Sequence, residues 1–306
     1  MKGVNSMELF SIAARTSDSR EEERYIRMIT KANQALHKKY KTLSISCSVH
    51  EGTTFWRCRE DDPRFLKGNV LQQIYGAAAS ALAEYILQEK ERELLKKILD
   101  EEFDFPDPEE HEQILKHCRM MMEGKSEFGD SRHRRSSMLA QGIQQCLSER
   151  PLLHVDGFLT FRAHNYMKEL KEIVEYAVDE FLMDRQYEEF VGMLKYFVYF
   201  QQPQVPLVHL IHKGGQDVLL LDEDMKPLDH RHDEGVVVER LDQQDLQMED
   251  AVVTTLISVS PAKIIIHTRE PHMAVIRTLS QIFEDRVEIC RYCPDCHGYF
   301  RETGKI

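Results

Sequence analysis

Along the first sixty residues the apolar period switches repeatedly. Met7–Ala14 reads as a strand. Glu21–Tyr40 repeats at three- and four-residue steps, through Tyr25, Ile29, Ala32 and Leu36, as an amphipathic helix does. Thr42–Val49 then alternates, and Leu43, Ile45, Cys47 and Val49 share one face of a strand. Glu51-Gly52-Thr53 is a turn signal, after which Thr54–Arg59 returns as a partner strand. The pattern predicts a small βαββ unit over residues 1–62, ended by Asp61-Asp62-Pro63.

From residue 63 to 203 the period is helical. Val70, Leu71, Ile74, Ala78, Ala81, Leu82, Tyr85 and Ile86 form one stripe, and Leu94, Leu95, Ile98 and Leu99 extend it. Pro106 and Pro108 interrupt, with Asp107 placed to cap the next helix, which carries Ile114, Leu115 and Cys118. Gly124–Ser131 reads as a loop, and Ser137–Ser148 as a helix stopped before Pro151. Two strongly amphipathic stretches follow: Tyr166, Leu170, Ile173, Ala177 and Phe181, then Tyr187, Phe190, Leu194 and Phe197. A bend at Asp184-Arg185-Gln186 separates them. Stripes of this kind must bury against one another, so the middle is expected to be a helical bundle.

Over 204–306 strands return. Val208–Ile211 and Val218–Leu221 flank Gly214-Gly215 as a hairpin, and Val236–Val238 is a candidate strand. Glu249–Val259 is a helix, Lys263–His267 a strand, His272–Phe283 a helix and Arg286–Cys290 a strand. Ile264-Ile265-Ile266 suits a parallel strand covered on both faces, and the connection from Thr268 to Asp285 is long enough for a βαβ crossover. The fold class is therefore α+β: a small N-terminal βαββ unit, a central helical bundle, and a C-terminal α/β unit with a parallel βαβ pair and a Cys-rich end.

Composition adds bounds. The 306 residues are 42% hydrophobic and 30% charged, a soluble globular profile. The net charge is −12. Basic and acidic residues balance in the first half, so the acid excess sits in residues 151–306 and argues against broad nucleic-acid binding. No signal-peptide core and no apolar run of about 18 residues is found, so no membrane span is expected. Seven cysteines without an export signal suit a reducing, cytoplasmic setting. In it Cys47, Cys58, Cys118 and Cys146 read as buried free thiols.

The chemistry concentrates at the end, in RVEICRYCPDCHGYF. Cys290, Cys293 and Cys296 are spaced by two residues each, and His297 follows. A Cys-Pro-x-Cys turn aims two thiolates at one point. Tetrahedral zinc needs four N or S ligands, and the fourth can be His267, His297 or His272. If the last two strands are parallel, His267 and Cys290 share the carboxyl edge of the sheet, where open α/β sheets place their sites. Plain packed thiols, a redox pair with a resolving cysteine, and an iron–sulfur cluster stay open beside zinc. The cluster is disfavoured because Phe300 stands where the ferredoxin run needs its fourth cysteine.

Other candidates have simpler readings. Asp229–Glu234, with His230 and His232, is a second metal site or a solvated hairpin loop. Ser131–Ser137, with Arg132, Arg134 and Arg135, is an anion-binding patch or a solvated linker between helices. His209 and His212, three apart on a strand, face opposite sides, one packed and one exposed. No glycine-rich nucleotide loop, Gly-x-Ser-x-Gly or His-Glu-x-x-His is present.

Four stretches carry a family likeness: Phe161–Gln202, Val208–Asp222, Glu249–His267 and Arg286–Cys296. They resemble the YtxC-like family of sporulation-associated proteins of endospore-forming bacteria, from about Phe65 onward. The resemblance implies a cytoplasmic protein of the sporulating cell. It carries no activity, substrate or catalytic residue, and it gives the three cysteines no role.

The leading expectation is a non-enzymatic protein whose Cys290, Cys293 and Cys296 hold zinc with His267 or His297. The alternatives are a thiol- or His-dependent enzyme with His267 as base, at the carboxyl edge of the C-terminal sheet, and a partner- or nucleic-acid-binding regulator acting through residues 132–135. Protein partners and oligomeric state are left open.

Overall fold

A computed structural model describes residues 6–16, 18–62, 66, 69–123, 131–215, 217–228 and 245–300. The chain is mixed α and β, and it divides into two compact units, Met1–Met183 and Asp184–Ile306. Candidate segments Asp229–Glu234 and Val236–Val238 lie outside the described residues.

The first unit opens with β1 (Met7–Arg15), α1 (Ser19–Lys39), β2 (Leu43–His50) and β3 (Thr53–Glu60). Asp18 caps α1 by accepting from the Glu21 amide at 2.7 Å. Glu51 and Gly52 both have positive φ, 48° and 72°. That is the type I′ geometry whose twist suits a two-residue hairpin. Helices α2 (Val70–Tyr85), α3 (Glu91–Glu102), α4 (Pro108–Glu123) and α5 (Ser131–Glu149) follow. A π-helical turn, Ile86–Lys90, joins α2 to α3. It keeps Ile86 and Leu87 in the same core as Leu95, Ile98 and Leu99, so the long stripe stays buried although its phase is interrupted.

Next come β4 (Leu152–His154) and α6 (Val155–Phe161). β4 pairs parallel with β1, giving the order β2-β3-β1-β4. Three residues are too few to show a period, so the pattern did not reveal this strand. Trp56, Phe10, Tyr25 and the α2 stripe fill the core.

α7 (His164–Phe200) is one helix of 37 residues, and it corrects the bend expected at Asp184–Gln186. No Pro or Gly stands there to break it. What looked like a break is a change of buried face. Tyr166, Leu170, Ile173, Ala177 and Phe181 belong to the first core, whereas Val191 and Val198 belong to the second. Tyr187, Phe190 and Phe197, read in the sequence as a buried stripe, are exposed.

The second unit holds β5 (Val205–Gly214), β6 (Asp217–Leu221), α8 (Asp245–Val259), β7 (Pro261–Thr268), α9 (Ala274–Phe283), β8 (Val287–Cys290) and α10 (Pro294–Phe300). The sheet order is β6-β5-β7-β8; β5, β7 and β8 run parallel, and β6 antiparallel to β5. Strand alternation sorts its residues. Val208, Leu210, Ile264 and Ile266 face a core completed by Leu256, Ile276, Leu279 and Phe283 of α8 and α9. Ile211, Leu219 and Leu221 face the other side, with Cys296 and Phe300 of α10. Ile264 and Ile266 are fully buried and Ile265 only partly, so α10 covers its face less completely than the helices cover theirs. Among the described residues no helix is long and apolar enough to cross a membrane.

Candidate metal centre

The parallel register of β7 and β8 sets His267 directly beside Cys290, at the carboxyl ends of both strands. The chain then turns through Arg291-Tyr292 into α10, whose first turn carries Cys293-Pro294-Asp295-Cys296. The turn closes on itself through sulfur. The Cys293 amide donates to Cys296 Sγ at 3.3 Å, and the Cys296 amide to Cys293 Sγ at 3.4 Å. Pro294 starts the helix without needing a donor. Cys296 is buried under Ile211 and Leu221 on the sheet, which anchors the turn over the strand ends.

One ligand atom each from His267, Cys290, Cys293 and Cys296 therefore lies within 4.8 Å of all the others. His267 Nδ1 stands 3.7 Å from Cys293 Sγ. In a tetrahedral zinc site with bonds of about 2.3 Å, neighbouring sulfurs are about 3.8 Å apart. The cluster is close to that size, and its donor set is three soft thiols and one imidazole. His297 lies outside the group: its ring packs edge-on to Tyr292, with centroids 5.3 Å apart. His272 is exposed beyond β7.

The electrostatics suit a cation. Burial, with hydrogen bonding and repulsion from Cys293, pushes the Cys290 thiol up to about 11. Burial also raises Cys296, against the help of the Cys293 amide. Cys293 is lowered: burial opposes its ionisation, but the Cys296 amide and the neighbouring thiols stabilise its thiolate more. Of the three thiols Cys293 is therefore the one that ionises most readily, and a second thiolate would sit against the first. Burial, and repulsion between the two rings, lower His267, so its imidazole is neutral and has a lone pair to give.

Sequence reasoning read His209 only as one of two strand histidines and missed its contact with His267. His209 Nδ1 is 2.9 Å from His267 Nε2, and both rings are buried. The parallel register pairs Ile211 with His267, and two residues back on the same face stands His209. That offset is the signal that could have found it. If His267 ligates through Nδ1, its proton sits on Nε2 and donates to His209, which fixes the ring. His212 does face the opposite side, but it is buried rather than exposed, held to Thr268 Oγ1 at 2.9 Å and the Gly215 carbonyl at 3.2 Å.

The arginine segment is not a linker. Ser131–Ser137 forms the start of α5. Arg132 bonds to Glu84, Arg134 binds Glu169 through two nitrogens at 3.1 and 3.0 Å, and Arg135 is buried against Glu91 at 2.8 Å. The Arg135 charge is neutralised inside the fold, whereas Arg132 and Arg134, about half exposed, meet their carboxylates at its surface. Of the four thiols expected to be buried, Cys58 and Cys118 are, Cys146 is half-buried and Cys47 is exposed. Cys47 shares the core-facing side of β2 with buried Leu43 and pairs with Trp56, but β2 is the edge strand and the cover over that face runs out toward Val49.

Fold and site together define an α+β chain with a Cys3His donor cluster at the rim of a mostly parallel sheet. The chain belongs to the YtxC-like family, whose model matches residues 77–288. It is 27% identical over 216 residues to a Bacillus subtilis (strain 168) protein named "Uncharacterized protein YtxC", covering 68% of this chain and 74% of that one. No solved structure matches the chain significantly. The family match contains His209 and His267 and ends two residues before Cys290, so it says nothing of the cysteines.

Proposed function

We propose that this is a non-enzymatic, sporulation-associated cytoplasmic protein whose C-terminal unit holds a zinc ion in a structural role through His267, Cys290, Cys293 and Cys296. The observation that carries the zinc reading is the convergence of those four donor atoms within 4.8 Å. The ion would tie α10 and the β8 end to β7, across a face of the sheet that side chains cover only partly. The sporulation role rests on family membership alone.

The test is metal content after chelator-free purification from zinc-replete medium. About one zinc per chain is expected, and Cys290→Ser together with Cys293→Ser should remove it. Substoichiometric zinc in the wild-type chain, or full zinc in the double variant, would defeat the reading.

One observation favours a second reading, a thiol-dependent enzyme: Cys293 is the lowered thiol and stands 3.7 Å from His267 Nδ1. Against it, a nucleophile needs one thiol and a base oriented by an acceptor. Here three thiols share the site, and the orienting acceptor is a neutral imidazole rather than a carboxylate that would stabilise a protonated base. Selective fast alkylation of Cys293 in the zinc-loaded protein would favour the enzyme; protection of all three thiols favours the metal.

A further inference from the structure

We infer that the exposed side of α7 from Phe190 to Phe200 is the surface on which a second copy of this chain docks, making a homodimer through paired α7 helices. The inference is independent of the metal centre.

Within 187–200 the helix is apolar on two sides. Val191 and Val198 are buried in the second unit's core, with Leu194 packed beside them. An adjoining side carries Phe190, Met193, Phe197 and Phe200, which are 51%, 65%, 53% and 65% exposed, flanked by the equally open Tyr196 and Tyr199, whereas Tyr187 lies on the core side with its hydroxyl 2.6 Å from Thr278 Oγ1. A helix apolar all round belongs in an interior. Its own core covers one side, and among the described residues nothing covers the other. Scattered exposed apolar residues are ordinary; six large ones within the eleven residues 190–200 are not.

The spacing says what kind of cover. Phe190, Met193, Phe197 and Phe200 follow one another at steps of three, four and three. That alternation is the seam one helix presents to another. The seam also contains its own receptor. Met193, Tyr196, Phe197, Phe200 and Gln201 line a groove of about 440 Å³, into which a ring from an identical helix can insert. One patch thus supplies both knob and hole, as a twofold interface requires.

Size and charge agree. Six side chains of this type, each half to three-quarters exposed, offer on the order of 700–800 Å², close to the roughly 800 Å² per partner of a stable interface. The charged neighbours are engaged locally, Arg185 with Glu189 and Lys195 with Glu284. A partner selected by charge would find little to grip in the seam. A lipid surface fits poorly as well. Membrane-lying helices flank their apolar face with Lys and Arg, whereas this chain is acidic at −12 and places Glu188 and Glu189 beside the seam.

Sedimentation and light scattering on the full chain test the inference. The expected mass is twice 35.9 kDa. Added salt should tighten the association, because it screens two like-charged chains while leaving the apolar seam intact. Phe190→Glu with Phe197→Glu should weaken it by about a hundredfold or more while leaving circular dichroism and zinc content unchanged. Met193→Cys, at the centre of the seam, should trap the dimer as a disulfide in either helix orientation. A wild-type chain at 35.9 kDa at high concentration overturns the proposal. So does a dimer that survives the double glutamate variant, or a monomer that binds anionic vesicles through this face.

Discussion

Each unit buries a knot of ionisable side chains, and the two are built on opposite principles. In the first unit Arg135 is 2% exposed and forks onto Glu91, at 2.8 and 3.4 Å. Glu91 also accepts from Tyr166 at 3.2 Å, and Glu169 is held by Arg134. Every anion there has a cation from the same chain. Burial raises Glu91 by more than Arg135 pulls it back, but its cation stands beside it. In the second unit three thiols and an imidazole converge, all of them donors to a cation, and the residues of the cluster supply none. A knot that is neutral by itself holds a fold together. A knot of like donors is finished by something from outside. Number of polar groups and depth of burial do not separate the two cases; the sign of what is missing does.

The contrast can be broken most decisively in the first unit. Arg135→Met leaves Glu91 buried without its cation, and such a truncation costs about 3–5 kcal/mol. Urea denaturation of the first unit's transition should show it. Adding Glu91→Leu should recover much of the loss, since an apolar replacement of the pair removes the stranded charge. In the second unit Cys290→Ser in the metal-free chain should cost far less, because the thiol there has no opposite charge to lose. If both truncations destabilise equally without metal, the distinction between the knots fails.

The next largest effect is a pH dependence confined to the second unit. Cys290 and Cys296 are raised, so both are protonated in neutral buffer. A metal ion must displace those protons, whereas neutral His267 gives up none. Release of at least these two protons makes affinity rise with pH, by about a hundredfold or more per unit between pH 7 and 8, and fall as pH drops. Competition titration with a chromophoric chelator reads it directly. An affinity flat across that range would mean the raised thiols are not ligands.

What was legible in the sequence follows from which interactions are local. Strand alternation at Leu43–Val49 and the βαβ pattern around Ile264–Ile266 are written in neighbouring residues, and so was the edge shared by His267 and Cys290, once the strands were taken as parallel. Arg135 was misread because a run of arginines looks the same solvated or buried; its partners, Glu91 and Glu169, are 44 and 34 positions away. β4 is too short to show a period, and it exists because β1 offers an open edge. The supposed bend in α7 was a true signal wrongly assigned: the stripe does change face, while the backbone runs on.

His209 gives the smallest effect and the sharpest question, whether the second knot extends beyond its ligands. Its Nδ1 faces His267 Nε2 at 2.9 Å, and the two rings stack at 24°. With a metal on Nδ1 of His267, the Nε2 proton needs an acceptor, since both rings are buried. His209 accepts it as the tautomer protonated on Nε2. His209→Leu removes the acceptor, frees the ring to rotate, and should lower zinc affinity about 10–100-fold. His209→Gln can present an amide oxygen and should lose less. A purely packing role predicts the reverse ranking, because leucine is the better apolar filler beside Ile211 and Leu221. The order of the two affinities, measured at one pH, therefore decides whether His209 acts through its nitrogen or through its volume.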